Sequence, residues 1–416
     1  MPEMKNSGFS WIGMIPYDWK CERGKYILKY MQKPIKANDD VITCFRDGEV
    51  TLRSNRREDG FTMADKEIGY QGIDVGDLVI HGMDGFAGAI GISDSRGKAS
   101  PVLNVVDTEQ NKRYMMYFLR SMAYNNVFLA LATGIRVRSC DLRWNKLAGL
   151  YYPIPPLEEQ NRIVDYLDVI CKEIDALTKD IQAEIDTLGE YKCSVITEKV
   201  TKGLKLDVEM SDSGIEWVGM IPILWSVHPV YYYFRERKAK NYDLKEQNLL
   251  SLSYGKIIRK DINANGGLLP ASFSTYNIVE VDDIIIRPTD LQNDKRSLRT
   301  GLVTERGIIT SAYIDLMPKS GVNSRYFHYL LHAYDIMKVF YNMGNGVRQG
   351  LNYSEFSKLM VVAPPEKEQQ EIADYLDTKC TEIDSIIETK KEQLRVLDEY
   401  KKSVIYEYVT GKKEVI

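Results

Sequence analysis

Several kinds of functional site need residues of which this sequence has few. Its six cysteines are scattered with no Cys-x-x-Cys pair, which argues against zinc ribbons and against a disulfide framework. Of its four histidines, only His328 and His332 have helical spacing. No carboxylate or cysteine is placed to complete a metal site with them, so we interpret this pair as packing or surface residues and expect no metal.

Long apolar runs are also absent. No stretch approaches the roughly 18 uninterrupted apolar residues of a membrane span, and residues 1–6 do not resemble a signal peptide. We therefore expect a cytoplasmic protein without a membrane partner. The hydrophobic content of 44% and the aromatic content of 10% predict well-formed cores in this chain of 416 residues.

Motifs of cofactor-dependent enzymes are missing. An amino-methyltransferase would carry Asn/Asp-Pro-Pro-Tyr, but the two Pro-Pro pairs here continue as Leu157-Glu158 and Glu366-Lys367. The sequence has neither a Walker lysine loop nor a convincing glycine-rich cofactor loop. We therefore predict a non-catalytic chain that holds no cofactor, and a fused methyltransferase or nuclease is disfavoured.

Excess positive charge is lacking too, because the net charge is −4. Residues 155–206 carry 7 basic and 11 acidic groups, and residues 364–416 carry 9 and 13, so the rest of the chain is at +4. That remainder is only weakly basic. Any DNA contact must then come from local clusters or from basic partner subunits rather than from a global field.

The chain does contain an internal duplication. Pro155-Pro156 and Glu159-Gln160 return as Pro364-Pro365 and Glu368-Gln369, at an offset of 209 that stays constant over about 50 residues. A tryptophan-containing segment before each copy repeats at an offset of 206. The sequence therefore predicts an α+β fold in which two similar globular α/β domains alternate with two long helices, with segments 1–153, 154–206, 207–362 and 363–416.

The helical segments have the spacing of a coiled coil. In the first segment, apolar residues follow at steps of three and four with one stutter: Leu167, Ile170, Ile174, Leu177, Ile181, Ile185 and Leu188. The second segment repeats this pattern. So narrow a stripe needs a partner helix. We expect the two segments to pack antiparallel within one chain, with internal pseudo-two-fold symmetry; parallel pairing with a second molecule is the alternative.

Each globule combines a common frame with loops that differ. Residues 70–84 align without a gap with residues 276–290, and both contain an apolar strand. Basic and amide residues gather after this strand, after the turns at Gly48 and Gly255, and before each helical segment. Such side chains contact phosphates, guanine and adenine, so these loops are candidates for DNA contact, with ordinary solvated surface as the alternative. The candidates are Arg53, Asn55, Arg56, Arg57, Arg136, Arg138, Ser139, Arg259, Lys260, Arg287, Lys295, Arg296, Arg299, Arg348 and Gln349.

The repeated residues also carry a family resemblance. Each copy has the Pro-Pro, acidic, Gln opening followed by Ile-x-Asp-Tyr-Leu-Asp, after a globule that begins Trp-[Ile/Val]-Gly-x-Ile-Pro-x-x-Trp. Over essentially its whole length the chain resembles the specificity subunit of type I restriction-modification systems. In that family each globule reads one half of a split DNA target, and an antiparallel coiled coil separates the globules and docks two modification subunits.

The resemblance implies partners that perform the chemistry. The modification subunits would bring S-adenosylmethionine, flip an adenine out of each half-site and methylate its N6. Two restriction subunits, with ATP and Mg²⁺, would make the assembly a translocating endonuclease. The resemblance also marks structural and partner-contact positions: Pro155, Pro156, Glu159, Gln160, Pro364, Pro365, Glu368 and Gln369.

The spacing of the two half-sites follows from a rigid spacer. Two sites that read the same face of B-DNA should lie about one helical turn apart, roughly 10 base pairs. The alternative function from another class is a coiled-coil scaffold without a nucleic-acid role.

Overall fold

The computed structural model divides the chain into two compact units. The first unit comprises Met1–Gln182 together with Glu392–Ile416, and the second comprises Ala183–Lys391. The structure describes residues 3–56, 67–130, 142–205, 207–263, 270, 272–289, 298–343 and 350–415. The boundaries between the two units fall within both long helices. The units therefore do not coincide with the four predicted segments, and the boundaries of those segments stay a prediction.

The first unit begins with short strands and ends in a long helix. Its elements are β1 (Met4–Asn6), β2 (Met14–Pro16), β3 (Lys20–Arg23), α1 (Gly24–Ile27), β4 (Lys29–Met31), β5 (Ile42–Cys44), β6 (Val50–Leu52), β7 (Gln71–Ile73), β8 (Leu78–His81), β9 (Ile90–Ile92), β10 (Gly97–Ala99), β11 (Leu103–Asp107), α2 (Lys112–Tyr124), α3 (Val127–Ala130), α4 (Trp144–Gly149), β12 (Tyr151–Ile154) and the first part of α5 (Leu157–Lys202).

The second unit repeats this order. After the remainder of α5 come β13 (Met210–Asp212), β14 (Met220–Pro222), β15 (Ser226–Pro229), α6 (Val230–Tyr233), β16 (Phe234–Glu236), β17 (Leu250–Ser253), β18 (Lys256–Arg259), β19 (Asn277–Val279), β20 (Ile284–Ile286), β21 (Thr300–Leu302), β22 (Gly307–Ile309), β23 (Ile314–Pro318), α7 (Ser324–Ile336), α8 (Tyr353–Phe356), β24 (Met360–Ala363) and the first part of α9 (Glu366–Val409).

Each unit contains a four-stranded antiparallel sheet of the same topology. The strand order is β4-β11-β8-β9 in the first unit and β16-β23-β20-β21 in the second. The central strands β8 and β20 are buried because they are apolar along nearly their whole length. The shared strand order confirms the predicted repeat and the α+β fold class.

A buried tyrosine links each sheet domain to the coiled coil. In the first unit the Tyr114 hydroxyl, on α2, donates to the Pro153 carbonyl or to the Val409 carbonyl, both 2.9 Å away. In the second unit Tyr326, on α7, has the same choice between Val362 and Val200. The core of the first unit also includes Val404, Ile405 and Val409 of α9. It is therefore completed by residues from the far end of the chain.

The two long helices pack antiparallel in both units. In the first unit Lys401 Nζ lies 2.6 Å from Asp175 Oδ1, and the rings of Tyr166 and Tyr408 have centroids 4.5 Å apart. In the second unit Lys192 Nζ lies 2.7 Å from Asp384 Oδ1, and Lys390 pairs with Glu184. Numbers along α5 fall as those along α9 rise, so the antiparallel prediction is confirmed and parallel pairing is not what the seam shows.

One residue of the predicted seam lies outside it. Ile174 and Ile181 are buried, but the Leu177 side chain, which falls between them, is 47% exposed. The steps of three and four around the stutter admit more apolar residues than one narrow interface can cover. Leu177 therefore stands on the flank of the coiled coil.

Candidate nucleic-acid interface

Strands β8 and β20 occupy equivalent positions in the two units. Residues next to the predicted DNA-contacting loops lie at the ends of both strands. In the first unit Leu142, which follows residues 131–141, donates its amide to the Gly82 carbonyl (2.8 Å) just beyond β8. In the second unit Leu351, which follows residues 344–349, donates its amide to the Pro288 carbonyl (3.0 Å) just beyond β20. One predicted cluster precedes each helical segment. The described residues that follow these two clusters therefore lie at equivalent strand ends.

A β-hairpin reaches the same place in the first unit. Strands β5 and β6 are joined through Arg46-Asp47-Gly48, and Arg46 Nη2 lies 2.8 Å from Asp84 Oδ1 beyond β8. Gly91 on β9 permits this close approach, because a Cβ there would lie 1.9 Å from the Gly48 carbonyl oxygen. The hairpin tip is thereby fixed beside the strand end.

The second unit has a matching hairpin with a different tip. Strands β17 and β18 pair through Ser253 and Lys256, leaving a two-residue loop, Tyr254-Gly255, with φ of 47° and 78°. Two positive φ angles are those of a type I′ turn, which favours Asn-Gly and penalises Tyr by about 1 kcal/mol. The Tyr254 side chain is nevertheless 82% exposed. Gly255 marks the turn in the sequence, but Tyr254 does not, since a tyrosine at this position is no recognised turn signal.

Leu298 of the second unit lies beside the same hairpin. A Cβ on Gly255 would lie 3.0 Å from the side chain of Leu298, the residue that follows 290–297. The hairpin tip, Leu298 and Leu351 therefore all border the end of β20. Described residues next to three separately predicted clusters therefore lie close together in this unit.

The prediction that Arg299 contacts DNA is wrong. Its side chain is 0% exposed, and Nη1 donates to the carbonyls of Thr289 (2.5 Å) and Arg287 (3.4 Å). The Arg299 amide donates to Asp335 Oδ2 (2.6 Å). A buried guanidinium needs hydrogen-bond acceptors. The two carbonyls that it meets precede residues 290–297 in the sequence, and Arg299 follows those residues. Arg299 therefore ties the residues after β20 to the start of β21, while Arg287 itself is half-buried at the strand end.

In the first unit the described candidates follow the β5–β6 hairpin. Arg53 is half-buried, with Nε 3.2 Å from Thr43 Oγ1, and the exposed Asn55 amide donates to Thr51 Oγ1 (2.8 Å). Arg56 pairs with Asp47 Oδ2 (2.6 Å) and lies over the ring of Phe45, 4.2 Å from its centroid. Arg56 is therefore oriented along the hairpin, with its charge partly balanced.

In the second unit Arg259 and Lys260 are exposed and lie at the end of the hairpin opposite its Tyr254-Gly255 tip. Arg259 Nε is 2.7 Å from Glu305 Oε1, and this pair raises the pKa of Arg259 and lowers that of Glu305. Both side chains face solvent, so the pair contributes little to stability. Its effect is to orient the guanidinium at the surface. The remaining candidates lie outside the described residues and stay predictions: Arg57, Arg136, Arg138, Ser139, Lys295, Arg296, Arg348 and Gln349.

The glutamine of each repeated motif has a structural role. Gln160 is buried; its Oε1 accepts the Asn111 amide at the start of α2 (2.9 Å), and its Nε2 donates to the Pro155 carbonyl (2.9 Å). Gln369 makes the same two bonds to Asn323 (3.1 Å) and Pro364 (2.9 Å). A partner-contact role for the two glutamines is therefore wrong, because their side chains are enclosed by their own unit.

The other motif residues differ in exposure. Glu159 is half-buried and accepts the indole N–H of Trp19 (3.1 Å), and burial raises its pKa. Glu368 is similarly half-buried, and Pro155 and Pro364 are buried. Pro156 and Pro365 are exposed at the helix starts. Partner contact stays a prediction for the exposed prolines.

A buried acid on a central strand and two half-buried histidines distinguish the second unit. Asp283 at the start of β20 receives two bonds from Arg237 (2.6 and 3.0 Å), and Asp315 on β23 lies with Oδ2 3.9 Å from the same guanidinium. Burial, reinforced by Asp283, raises the pKa of Asp315 to about 8. Burial also lowers the pKa of His328 to about 3 and of His332 to about 4, so both rings are neutral. Among the described residues no group of three or more potential ligands could hold a metal ion.

Three comparisons with known proteins agree with one another. Residues 76–187 and 304–396 match the model of the type I restriction modification DNA specificity domain. The chain is 25% identical over 429 residues, covering 97% of this chain and 96% of the relative, to the type I restriction enzyme MjaX specificity subunit of Methanocaldococcus jannaschii.

Solved structures share the fold at low identity. A chain from a study of complex assembly and conformational transition of the type I R-M system matches with a TM-score of 0.69 and 13% identity, covering 96% of this chain and 99% of that one. The HsdS subunit of Thermoanaerobacter tengcongensis matches with a TM-score of 0.50 and 13% identity, covering 96% and 98%. None of the helices within the described ranges is both long and apolar enough to cross a membrane.

Proposed function

This chain belongs to the DNA specificity subunits of type I restriction-modification systems, which are non-catalytic, and we propose that each of its two units binds one half of a bipartite DNA target. Such a subunit determines which DNA sequence the complex recognises. The chemistry then lies in partner subunits, and the two units supply two separate readings.

One observation carries this proposal: in two units of the same topology, the described residues that follow the variable segments, Leu142 and Leu351, lie at equivalent strand ends. The frame is common, since β8 and β20 hold the same place in their sheets. The tips differ, with Arg46-Asp47-Gly48 in one unit and Tyr254-Gly255 in the other. A shared frame fixes the approach to the duplex, and different side chains at its edge can then contact different bases.

The described side chains supply the two kinds of contact that reading needs. Lys256, Arg259 and Lys260 are exposed along the second hairpin and suit phosphate oxygens. Tyr254 at its tip offers an aromatic face and a hydroxyl to the groove or to an unstacked base. On binding, Arg259 would exchange its ion pair with Glu305 for a DNA phosphate. Because phosphate contacts release counterions, the affinity for DNA should fall as the salt concentration rises.

The partners and cofactors complete the proposal. Two modification subunits would hold S-adenosylmethionine and methylate adenine N6 after flipping the base out of the stack, because that atom is unreachable within the duplex. Two restriction subunits would use ATP and Mg²⁺. This chain would hold the modification subunits in place relative to each half-site.

The test is a map of N6-methyladenine at single-base resolution in a host that expresses this chain with its modification subunit. We expect a split motif with one methylated adenine in each half. A host with the modification subunit alone is the control and should show no such motif. Absence of any motif, with the partner shown to be bound and active, would favour a coiled-coil scaffold without a nucleic-acid role.

A further inference from the structure

Arg46, at the tip of the β5–β6 hairpin, is a cation that folding does not need. It is not among the predicted DNA contacts, and 58% of its side chain is exposed. Its Nη2 lies 2.8 Å from Asp84 Oδ1, and among the described acids only Asp84 is within ion-pair distance of it. An ion pair this exposed contributes little to stability. The arrangement therefore points to a role outside folding.

The carboxylate that holds Arg46 lies on a turn that is itself held in place. The Met83 and Asp84 amides donate to His81 Nδ1 (3.2 and 3.0 Å) at the end of β8. Burial lowers the pKa of His81, so the ring is neutral, and because Nδ1 accepts, the ring proton lies on Nε2. This Nε2 is 3.9 Å from Asp84 Oδ2. His81 therefore fixes the turn that carries Asp84.

The backbone of the hairpin tip is fixed as well. A Cβ on Gly88 would lie 2.8 Å from the Arg46 carbonyl oxygen, so only glycine permits this contact. From another direction, Arg120 of α2 donates from Nη2 to the Asp47 carbonyl. The tip is therefore held by the β8–β9 connection and by α2 before DNA is bound, which lowers the entropy cost of binding.

The exposed part of the Arg46 guanidinium matches guanine in the major groove. Guanine presents two acceptors there, N7 and O6, whereas adenine presents an acceptor and a donor, thymine one acceptor and cytosine a donor. A guanidinium offers only N–H donors, arranged in a planar fork. Asp84 accepts one of these N–H groups and leaves the others for a ligand. Guanine is therefore the base that satisfies the fork best.

The same carboxylate argues against a phosphate contact. The Arg46–Asp84 pair has no net charge, and the Asp84 side chain is 34% exposed, so it would repel a phosphate that approached Arg46. A base edge carries no net charge and meets no such repulsion. The pair therefore suits base reading, which depends on the direction of hydrogen bonds, better than it suits backbone positioning.

We propose that Arg46, oriented by Asp84, reads one guanine of the first half-site. Arg46 would donate to the guanine O6 and N7, and Asp84 is its positioning residue. This inference rests on the proposed function and names the base at one position of the target. In the second unit the hairpin tip, Tyr254-Gly255, carries no guanidinium. The two half-sites are therefore read with different chemistry.

The experiment measures, by fluorescence anisotropy, the affinity of the full chain assembled with its modification subunit for labelled duplexes. The duplexes carry the mapped target, with each base pair of the first half replaced in turn by the other three. For the unsubstituted chain, replacing one particular G·C pair should weaken binding about 10- to 100-fold. Arg46→Ala should abolish this preference and leave the preferences at the other positions, and throughout the second half, unchanged.

Two further variants separate positioning from reading. Asp84→Ala should weaken the guanine preference while the affinity for the other three duplexes rises, because an arginine without its carboxylate attracts phosphates. Asp84→Asn keeps an acceptor for Nη2 and should restore most of the preference. Arg56→Ala is the matched control: Arg56 follows the same hairpin and is paired with Asp47 and Glu49, so its loss should change the affinity for all first-half duplexes by one factor.

Circular dichroism checks the folding of every variant, and Arg46→Met, which keeps the aliphatic stem, replaces the alanine variant if that one unfolds. An unchanged guanine preference in a folded Arg46 variant would overturn the proposal. Equal loss of affinity for every duplex would assign Arg46 to a phosphate and also overturn it, as would a first half without any G·C pair whose replacement weakens binding. With no sequence-specific binding by the unsubstituted complex, the proposed function fails, and this inference with it.

Discussion

The first and second units share a frame and differ in chemistry both at its edge and at its centre. Sheet register places Val105 of the first unit opposite Val79, and Asp315 of the second opposite Ile285. At this position one unit has an apolar side chain and the other a carboxylic acid. The fold thus tolerates a buried acid beside Arg237 and Asp283, and the two copies have diverged internally as well as in their loops.

The largest expected effect comes from exchanging one unit's globule. Replacing residues 1–153 with those of another family member should change one half of the methylated motif completely and leave the other half unchanged. The reason is that the described strand-end loops of the second unit, near Tyr254 and Leu351, belong to other residues. The methylation map reads out both halves at once, and a change in both would refute independent reading.

Arg299→Ala should destabilise the second unit by about 3 kcal/mol, since it removes a buried guanidinium and leaves the Arg287 and Thr289 carbonyls unsatisfied. Hydrogen exchange of amides in each unit measures this separately, with the first unit as internal reference. Arg259→Ala is the control and should leave stability nearly unchanged, because the Arg259 side chain is exposed. Equal losses from both changes would contradict the anchoring role.

Asp315→Val, which installs the side chain of the first unit, should stabilise the second unit by about 2 kcal/mol at pH 8.5. The folded-state pKa of Asp315 is about 8 against an ordinary value of 3.8, so the native state retains a proton that the unfolded chain releases. The stability that this proton provides is complete below pH 3.8 and is lost as the pH rises through 8.

Urea unfolding at pH 5 and at pH 8.5 tests this prediction. The variant should show a smaller loss of stability between the two pH values than the unsubstituted chain. Val105→Ala in the first unit changes core volume without a titrating group and serves as the control. A pH dependence that persists unchanged in Asp315→Val would place its origin elsewhere.

Of the substitutions predicted to change stability, Tyr254→Asn should have the smallest effect. It should increase the stability of the second unit and weaken its binding to DNA. Asparagine tolerates positive φ, so the free energy of unfolding should rise by about 1 kcal/mol. The affinity for the second half-site should fall about tenfold, because the aromatic contact is lost. Fluorescence anisotropy of the assembled complex, with duplexes altered in one half at a time, separates the two readings. Unchanged affinity would remove Tyr254 from the interface.

The sequence predicted the repeat, the antiparallel helices and the fold class because each depends on patterns that recur at fixed spacing. It placed Leu177 in the seam, because periodicity near a stutter does not tell a seam position from its flank. It took Arg299 for a DNA contact, because burial of a charged side chain depends on distant carbonyls. Tyr254 was missed, because its backbone geometry contradicts the usual preference of its residue type.

The origin of the first unit from two chain pieces has a consequence for synthesis. Val404, Ile405 and Val409 complete its core, and the Tyr114 hydroxyl lies within hydrogen-bond distance of a carbonyl 295 residues further along. The second unit is one continuous stretch. On a ribosome, the globule made first must therefore wait with an open core until the end of α9 emerges, while the one made later can close before it. The order in which the two units complete folding is therefore the reverse of the order in which they are synthesised.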